Sequence, residues 1–336
     1  MAKRFFRVQD ADRPDLAAIG STSQLDMKGY AFPKLFPLLP VTERSGTMRV
    51  APAGLTNSKG TKGRSNGTTL SGTAIEMVDV PWSVSRYEGR GKLYEDDGAA
   101  YSSAEAADNA GAELSQRLAW NKVEDDAFKT VFTASRKSGA TELANHAVVK
   151  TLQKAAKKLR KYGTPTLVMT TNTWDDFVEI PEIRFRLVKL ADAGKDISFI
   201  LQDIEKVRAA VSTFLGFGSV VLFDSDIVDT AGTYDGVIAV VGIRKIEGSV
   251  VDAVKAKAVY GWTPIYIPED APADKPFDMS SWYDKENKAN VYDSEAFLGI
   301  VEAFSGAVET CKMADSYTEY AVPVVNNTIT PTGSGT

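Results

Sequence analysis

The chain has 336 residues, 43% hydrophobic and 25% charged, and its 39 Lys and Arg against 44 Asp and Glu leave a net charge of −5. This is core enough for one large or two modest domains, and the interspersed charges exclude a globally basic nucleic-acid binder or an acidic tail. The lone cysteine, Cys311, excludes an intrachain disulfide and a cysteine-based metal cluster, and it fits a reducing cytosol.

In chain order, residues 1–29 are polar, broken by Pro14, Gly20 and Gly29, and carry Lys3, Arg4, Arg7 and Arg13. They read as an extended arm, and the first seven residues lack the apolar run of a signal peptide. The longest apolar stretch, Val237 to Ile243, is too short to cross a bilayer, so neither secretion nor a membrane partner is expected. Pro33, Pro37 and Pro40 exclude a regular helix over 32–41. Thr47–Val50 and Ala74–Val84 are strand-like. Between them lies a polar, glycine-rich tongue from about Gly54 to Gly72, with Lys59, Lys62 and Arg64 at its centre. A loop of that length is uncommon in a compact domain and is usually functional or disordered. The expected structure is a long hairpin whose tongue is covered by another copy of the chain.

Ser102 with Glu105 has the spacing of a capping box opening a long helix. Ala107, Ala110, Leu114, Leu118, Val123, Ala127 and Val131 keep three-four spacing and predict its buried face, with a break near Ser138-Gly139. Some thirty helical residues would extend about 45 Å, a spine rather than a compact packing helix. After Asn145, residues Val148, Leu152, Ala155, Leu159 and Tyr162 predict an amphipathic helix ended by Gly163. Thr166–Met169 reads as a buried strand, followed by a helix capped by Asn172 or Thr173 with Asp175 and Asp176 in its first turn. Ile200, Ile204, Val207, Val211 and Leu215 predict a helix ended by Gly216, and strands follow at 219–223, 237–243 and 255–262. Residues 282–321 look strand-rich and 326–336 form a polar tail. Helices interleaved with short strands predict an α+β fold.

No catalytic constellation emerges. His146, the only histidine, has no neighbouring nucleophile, and Cys311 reads as a buried, inert thiol. The tongue lacks Walker spacing, and Gly216-Phe217-Gly218 follows a helix, the wrong order for a dinucleotide fingerprint. Neither a metal nor a cofactor is expected. The acid pairs Asp96/Asp97 and Asp125/Asp126 read as solvated or intersubunit charge. Lys150, Lys154, Lys157, Lys158, Arg160 and Lys161 make one side of their helix basic. A solvated face complementing the helix dipole is the main reading of these residues, with nucleic-acid contact as the alternative. The arm's basic residues have the better claim on packaged nucleic acid, through phosphate charge without sequence readout.

Phe36-Pro37-Leu38-Leu39-Pro40-Val41 before the hairpin, Tyr94-Glu95-Asp96-Asp97 before the spine, Thr166 to Asn172 with Trp174 and Ile180-Pro181-Glu182-Ile183, and Phe214 to Val221 occur in a telling order. In that order the chain, from about 30 to 322, resembles the major capsid protein of tailed bacteriophages, the Hong Kong 97-like fold. The resemblance implies an N-terminal arm (1–30), an extended hairpin loop (46–95), a peripheral domain with the spine helix (31–45, 96–140 and 285–325), an axial domain (141–284) and a tail (326–336). It implies a non-enzymatic shell protein of the virion, assembled in the host bacterial cytoplasm as pentamers and hexamers around double-stranded DNA. Separate scaffolding, portal and decoration proteins are possible partners. Lys59, Lys62 and Arg64 would then contact an adjacent subunit, and Lys3, Arg4, Arg7 and Arg13 would face DNA. Some members crosslink a hairpin lysine to a neighbour's asparagine, roles that Lys59 or Lys62 and Asn287 or Asn290 would take. An encapsulin-like compartment holding a cargo enzyme is the alternative within the same fold.

Overall fold

The computed structural model describes residues 11–12, 29–50, 78–98, 101–191, 204–245, 258–267 and 277–318. The tongue, nearly all of the arm and the tail lie outside the described residues, and with them Lys3, Arg4, Arg7, Arg13, Lys59, Lys62 and Arg64.

The first large sheet is built on long antiparallel ladders. Its strands are β1 (Ala11–Asp12), β2 (Leu38–Val41), β5 (Ser85–Tyr94), β11 (Gly261–Tyr266), β12 (Asp278–Asp284), β13 (Ala289–Leu298) and β14 (Val301–Glu302). Strand β13 pairs with β5 from Ala289↔Tyr94 to Leu298↔Ser85 and with β12 from Ala289↔Asp284 to Glu295↔Asp278. A one-turn helix, α1 (Phe32–Leu35), precedes β2. The prolines therefore do not exclude helix entirely, because Pro33 occupies the first turn, where a missing N–H costs nothing.

The hairpin base is β3 (Ser45–Val50) and β4 (Val78–Ser83), a separate two-stranded sheet paired from Ser45↔Ser83 to Val50↔Val78. Such a ribbon is marginal alone. Here Met48, Val80 and Trp82 pack with Leu39, Trp262, Val301 and Ala303, which fixes the base to the body. The ribbon ends at Ser83. The remainder of the expected 46–95 loop, β5, belongs to the first sheet instead.

After a single acidic turn, α2 (Glu95–Gly98), the spine α3 runs from Ala104 to Val131, 28 residues. That makes it about 42 Å long at 1.5 Å per residue. Its cap is Ser103, whose side chain accepts from the Ala106 N–H at 3.1 Å, one residue later than the expected Ser102. The helix stops at Phe132, and α4 (Ala134–Ser138) follows, capped by Thr133.

The second sheet holds β6 (Thr141–Leu143), β7 (Thr164–Thr170), β8 (Ser219–Phe223), β9 (Val237–Lys245), β10 (Ala258–Val259) and β15 (Val308–Met313). Its path is β6-β15-β9-β7-β8, with β7 and β8 parallel. Helices α5 (Val148–Leu159), α6 (Thr171–Glu179), α7 (Pro181–Ala191) and α8 (Ile204–Leu215) supply the apolar cluster against one face, through Leu152, Leu159, Phe177, Ile183, Val211 and Leu215. The other face shares a cluster with the spine: Val168, Val221 and Phe223 meet Phe128, Phe132 and Trp120. A single turn, α9 (Ser225–Val228), follows β8. The cap of α6 is Thr170, not Asn172 or Thr173, and this puts Asp175 and Asp176 beyond the first turn. Gly216, at φ 76°, closes α8 as expected.

The sheets do not follow the expected division at residue 284. Strands β11 and β12 lie in the first sheet with β13, while β15 crosses into the second to pair with β9 and β6.

Candidate assembly surfaces

The spine is positioned by glycines. A Cβ on Gly89 would sit 1.8 Å from the Ser115 carbonyl oxygen, and one on Gly91 would sit 2.8 Å from that of Gly111. The helix backbone thus lies directly on β5. Gly111 in turn leaves room for the Tyr292 ring, whose hydroxyl donates to Asp108 at 2.6 Å. The buried face of α3 is consequently small and partly polar: Ala107, Gly111, Ala112, Ser115, Gln116, Ala119, then Trp120, Val123, Ala127, Phe128 and Val131. Leu114 and Leu118, expected in that face, are instead 43% and 38% exposed. With exposed Tyr94 and Tyr101 close to where the helix begins, they leave large apolar side chains on the outside of the spine.

Where the arm ends, Tyr30 donates its hydroxyl to Asn121 Oδ1 at 2.9 Å. The Ala31 and Phe32 N–H groups donate to the two oxygens of Glu124, each at 2.8 Å. Glu124 is 1% exposed. Burial pushes its carboxyl up to about 7, against the opposing pull of the two N–H groups and Lys34. The Phe32 ring stacks on Trp120 at 5.7 Å. Sequence reasoning missed this anchor; its signal is an acid inside the apolar stripe of a long helix.

At the spine's other end, Arg136 Nη1 donates to the Thr130 and Val131 carbonyls at 2.7 and 3.1 Å, and Nη2 pairs with Glu302 at 2.5 Å. Tyr260 also donates its hydroxyl to Glu302. The thiol of Cys311 is buried in β15, and that burial pushes it up to about 11, as expected for an inert cysteine. His146 lies exposed in the turn before α5 with a φ of 59°.

The acid pairs separate. Asp96 and Asp97 are exposed on α2. Asp125 pairs with Lys129, and Asp126 accepts the Tyr87 hydroxyl at 2.6 Å, a tie within the chain rather than an intersubunit charge. Of the two asparagines proposed for a crosslink, Asn290 is buried in β13 at 1% exposure, which removes it from reach of any neighbour. Asn287 is exposed and donates to Asp284 at 2.7 Å. Across β5, β13 and β12 the outward face is a ladder of charges. Arg86 pairs with Glu88 and Glu295 at 2.7 and 2.6 Å, Arg90 with Asp293 at 2.9 Å, and Lys92 with Asp284 at 3.6 Å.

All six cations of α5 and its C-terminal turn are exposed, opposite the face that buries Val148, Val149, Leu152, Ala155, Ala156 and Leu159. No helix among the described residues is long and apolar enough to cross a membrane. Among the same residues, no group of three or more His, Cys, Asp or Glu side chains is placed to hold a metal ion.

No family model and no curated protein matches the sequence. Solved structures do match. A phage-related protein from Bordetella bronchiseptica RB50 superposes at a TM-score of 0.56, with 12% identity, over 91% of this chain and 98% of that one. A virus-like particle from Pyrococcus furiosus gives 0.46, with 9% identity, over 89% and 96%. The satellite phage P4 procapsid gives 0.48, with 8% identity, over 88% and 99%. The first of these likenesses shows the fold: the mixed helix-and-sheet architecture is shared along nearly the whole of both chains.

Proposed function

We propose that this chain is the major capsid protein of a tailed bacteriophage, which self-assembles into an icosahedral head around double-stranded DNA. The observation that carries the reading is the fold shared with a phage-related protein over 91% of this chain and 98% of that one. The surface supports it. A chain that closed on itself would have little reason to keep Leu114 and Leu118 outward on its longest helix, and a patch of this kind commonly marks a protein interface. The hairpin base leads into the polar tongue, and Lys59, Lys62 and Arg64 there would reach an adjacent subunit. Assembly would proceed through heterologous contacts closing into rings, reinforced by arms and tongues that cross subunit boundaries.

In this reading the first sheet, the spine and the hairpin form the peripheral body, and the second sheet with α5–α8 forms the axial body. The protein would assemble in the host cytoplasm and reside in the virion, with scaffolding, portal and decoration proteins as separate partners and no catalytic role.

The test is negative-stain microscopy of the expressed full chain, followed by a nuclease-protection assay on particles from infected cells. Closed shells that protect duplex DNA are expected. Particles filled with a cargo protein and no DNA would point to the encapsulin-like alternative, and a monomer at high concentration would remove both.

A further inference from the structure

Between Glu142 and Asp175 the sequence contains no acid, while six of its residues are Lys or Arg: Lys150, Lys154, Lys157, Lys158, Arg160 and Lys161. In a chain of net charge −5 this is a pronounced local excess of positive charge. The fold places it on α5 and the turn that follows. Lys150, Lys154 and Lys157 recur at intervals of four and three, so they fall along one line of the helix surface. From Lys150 to Lys157 the row runs about 10 Å.

Fold stability does not account for this row. Lys157, Lys158, Arg160 and Lys161 sit at the helix C-terminus, where cations complement the dipole. Lys150 does not. It lies in the first turn, which carries no acid and where positive charge is unfavourable. The carboxylate that serves this end, buried Glu182 on α7, is engaged with the Val148 N–H at 2.9 Å. Lys150 with Lys154 and Lys154 with Lys158 are also like-charge pairs four residues apart, which disfavour the helix.

Nor does the protein neutralise the row as it does elsewhere. The outward face of β5, β13 and β12 matches Arg86, Arg90 and Lys92 with acids. On α5, among the described residues, only Lys158 has a carboxylate partner, Glu309 at 3.3 Å.

Resting on the capsid reading above, we infer that the Lys150–Lys154–Lys157 face of α5 contacts the phosphates of the enclosed duplex DNA and so lies on the inner side of the shell. Duplex DNA presents one negative charge per about 1.7 Å of its axis, so a short straight row of flexible ammonium groups meets several phosphates without reading sequence. The contact is electrostatic and non-specific, which suits a surface repeated many times around DNA of arbitrary sequence. It adds to the arm a second, structurally fixed site of charge neutralisation.

The experiment uses the purified, unassembled full chain and a fluorescein-labelled duplex of random sequence, with binding followed by anisotropy across a KCl series. Wild type should bind with a steep dependence on salt. The K150Q/K154Q/K157Q variant keeps the arm and should lose about tenfold or more in affinity at 50 mM KCl. Its log–log salt slope should be shallower by about 2 to 3, since each neutralised phosphate contributes about 0.9. Its melting temperature should equal or exceed that of wild type, because like-charge repulsion is relieved. A single K154Q variant should lower the slope by about 1, so the inference is testable even if the triple variant folds poorly. Equal slopes and affinities for wild type and variants would overturn it. So would unchanged DNA binding combined with lost shell formation, which would make the row a contact with an acidic face of a neighbouring copy. Shell formation by wild type is scored separately by microscopy. Absence of shells refutes the capsid reading whatever the anisotropy gives, and shells whose variants bind DNA unchanged refute only the inference.

Discussion

Glu124, buried on the spine, accepts the backbone N–H of Phe32 through Oε2 at 2.8 Å, while its other oxygen accepts that of Ala31. One carboxylate thereby caps α1 and fixes the point where the arm leaves the body. Replacing it with alanine strands two buried donors and opens a small void, so Glu124→Ala should cost about 3 kcal/mol in denaturant-induced unfolding. A loss below about 0.5 kcal/mol would mean the chain start is held by the Phe32–Trp120 stack alone.

The same carboxylate makes stability depend on pH in a definite direction. Burial raises its folded pKa from 4.5 to about 7, so the folded state binds the proton more tightly than the unfolded chain. Stability from this group is therefore complete below the unfolded value and is lost as pH rises through the folded one. Lys34 opposes the shift and Asp224 reinforces it. Wild type minus Glu124→Gln isolates the effect: the difference should move toward wild type by a few kcal/mol between pH 7 and pH 4.5. A flat difference over that window would show that Glu124 titrates normally.

Contact between the spine and β5 depends on the absence of side chains at Gly89 and Gly91. Even a methyl group at 89 would collide with the Ser115 carbonyl, which is backbone and cannot rotate away. Gly89→Ala should cost about 3 kcal/mol or more, or abolish soluble expression. Arg90→Ala, altering the exposed residue between the two glycines, should cost less than about 1 kcal/mol. Equal melting temperatures for Gly89→Ala and wild type would contradict backbone-on-backbone packing.

These contacts also explain what could and could not be read in the sequence. The spine, the hairpin base, α5, α8 and β8 were legible because each rests on local periodicity or a local stop, such as Gly216. The buried face of the spine was legible only in part: Ala107, Val123, Ala127 and Val131 are buried as their spacing predicts, whereas Leu114 and Leu118 are not. There the partner is a glycine-bearing strand, so small residues such as Gly111 and Ser115 pack inward while the two leucines turn outward. Over that stretch a search for large apolar residues at helical spacing selects the wrong stripe. The alternation Gly89-Arg90-Gly91 was the available signal, since two glycines on one face of a strand mark a close backbone approach. Glu124 and Arg136 act on partners more than ninety and more than a hundred and sixty residues away, beyond any local pattern. Sheet membership was hidden for the same reason, as β15 pairs with β9 across the whole late return of the chain.

In the capsid reading, outward leucines on a helix that already has a full inner face would serve the assembly rather than the monomer. Leu114→Asp/Leu118→Asp should leave the melting temperature of the unassembled chain within about 2 °C of wild type, since neither side chain is buried in it. Shell yield, read by sedimentation, should fall at least tenfold. Normal shells from the double variant would show that this face stays bare in the particle. A chain that unfolds would show instead that the leucines stabilise the monomer.

The tongue separates folding from assembly most directly. The hairpin base is fixed by Met48, Val80 and Trp82 against Trp262, so shortening the loop beyond it leaves every described contact in place. Deleting residues 58–67 should therefore give a chain with wild-type circular dichroism and an unchanged or slightly raised melting temperature, because a shorter loop closes at lower entropic cost. In the capsid reading the same deletion removes Lys59, Lys62 and Arg64 from their place over a neighbour. Each subunit loses one of several linked contacts, and the loss compounds around the shell. Capsomers or monomers should accumulate, and any closed particles should dissociate on mild heating. Heat-stable particles of normal size from this variant would refute the tongue's role and leave the spine face and the rings to carry the assembly.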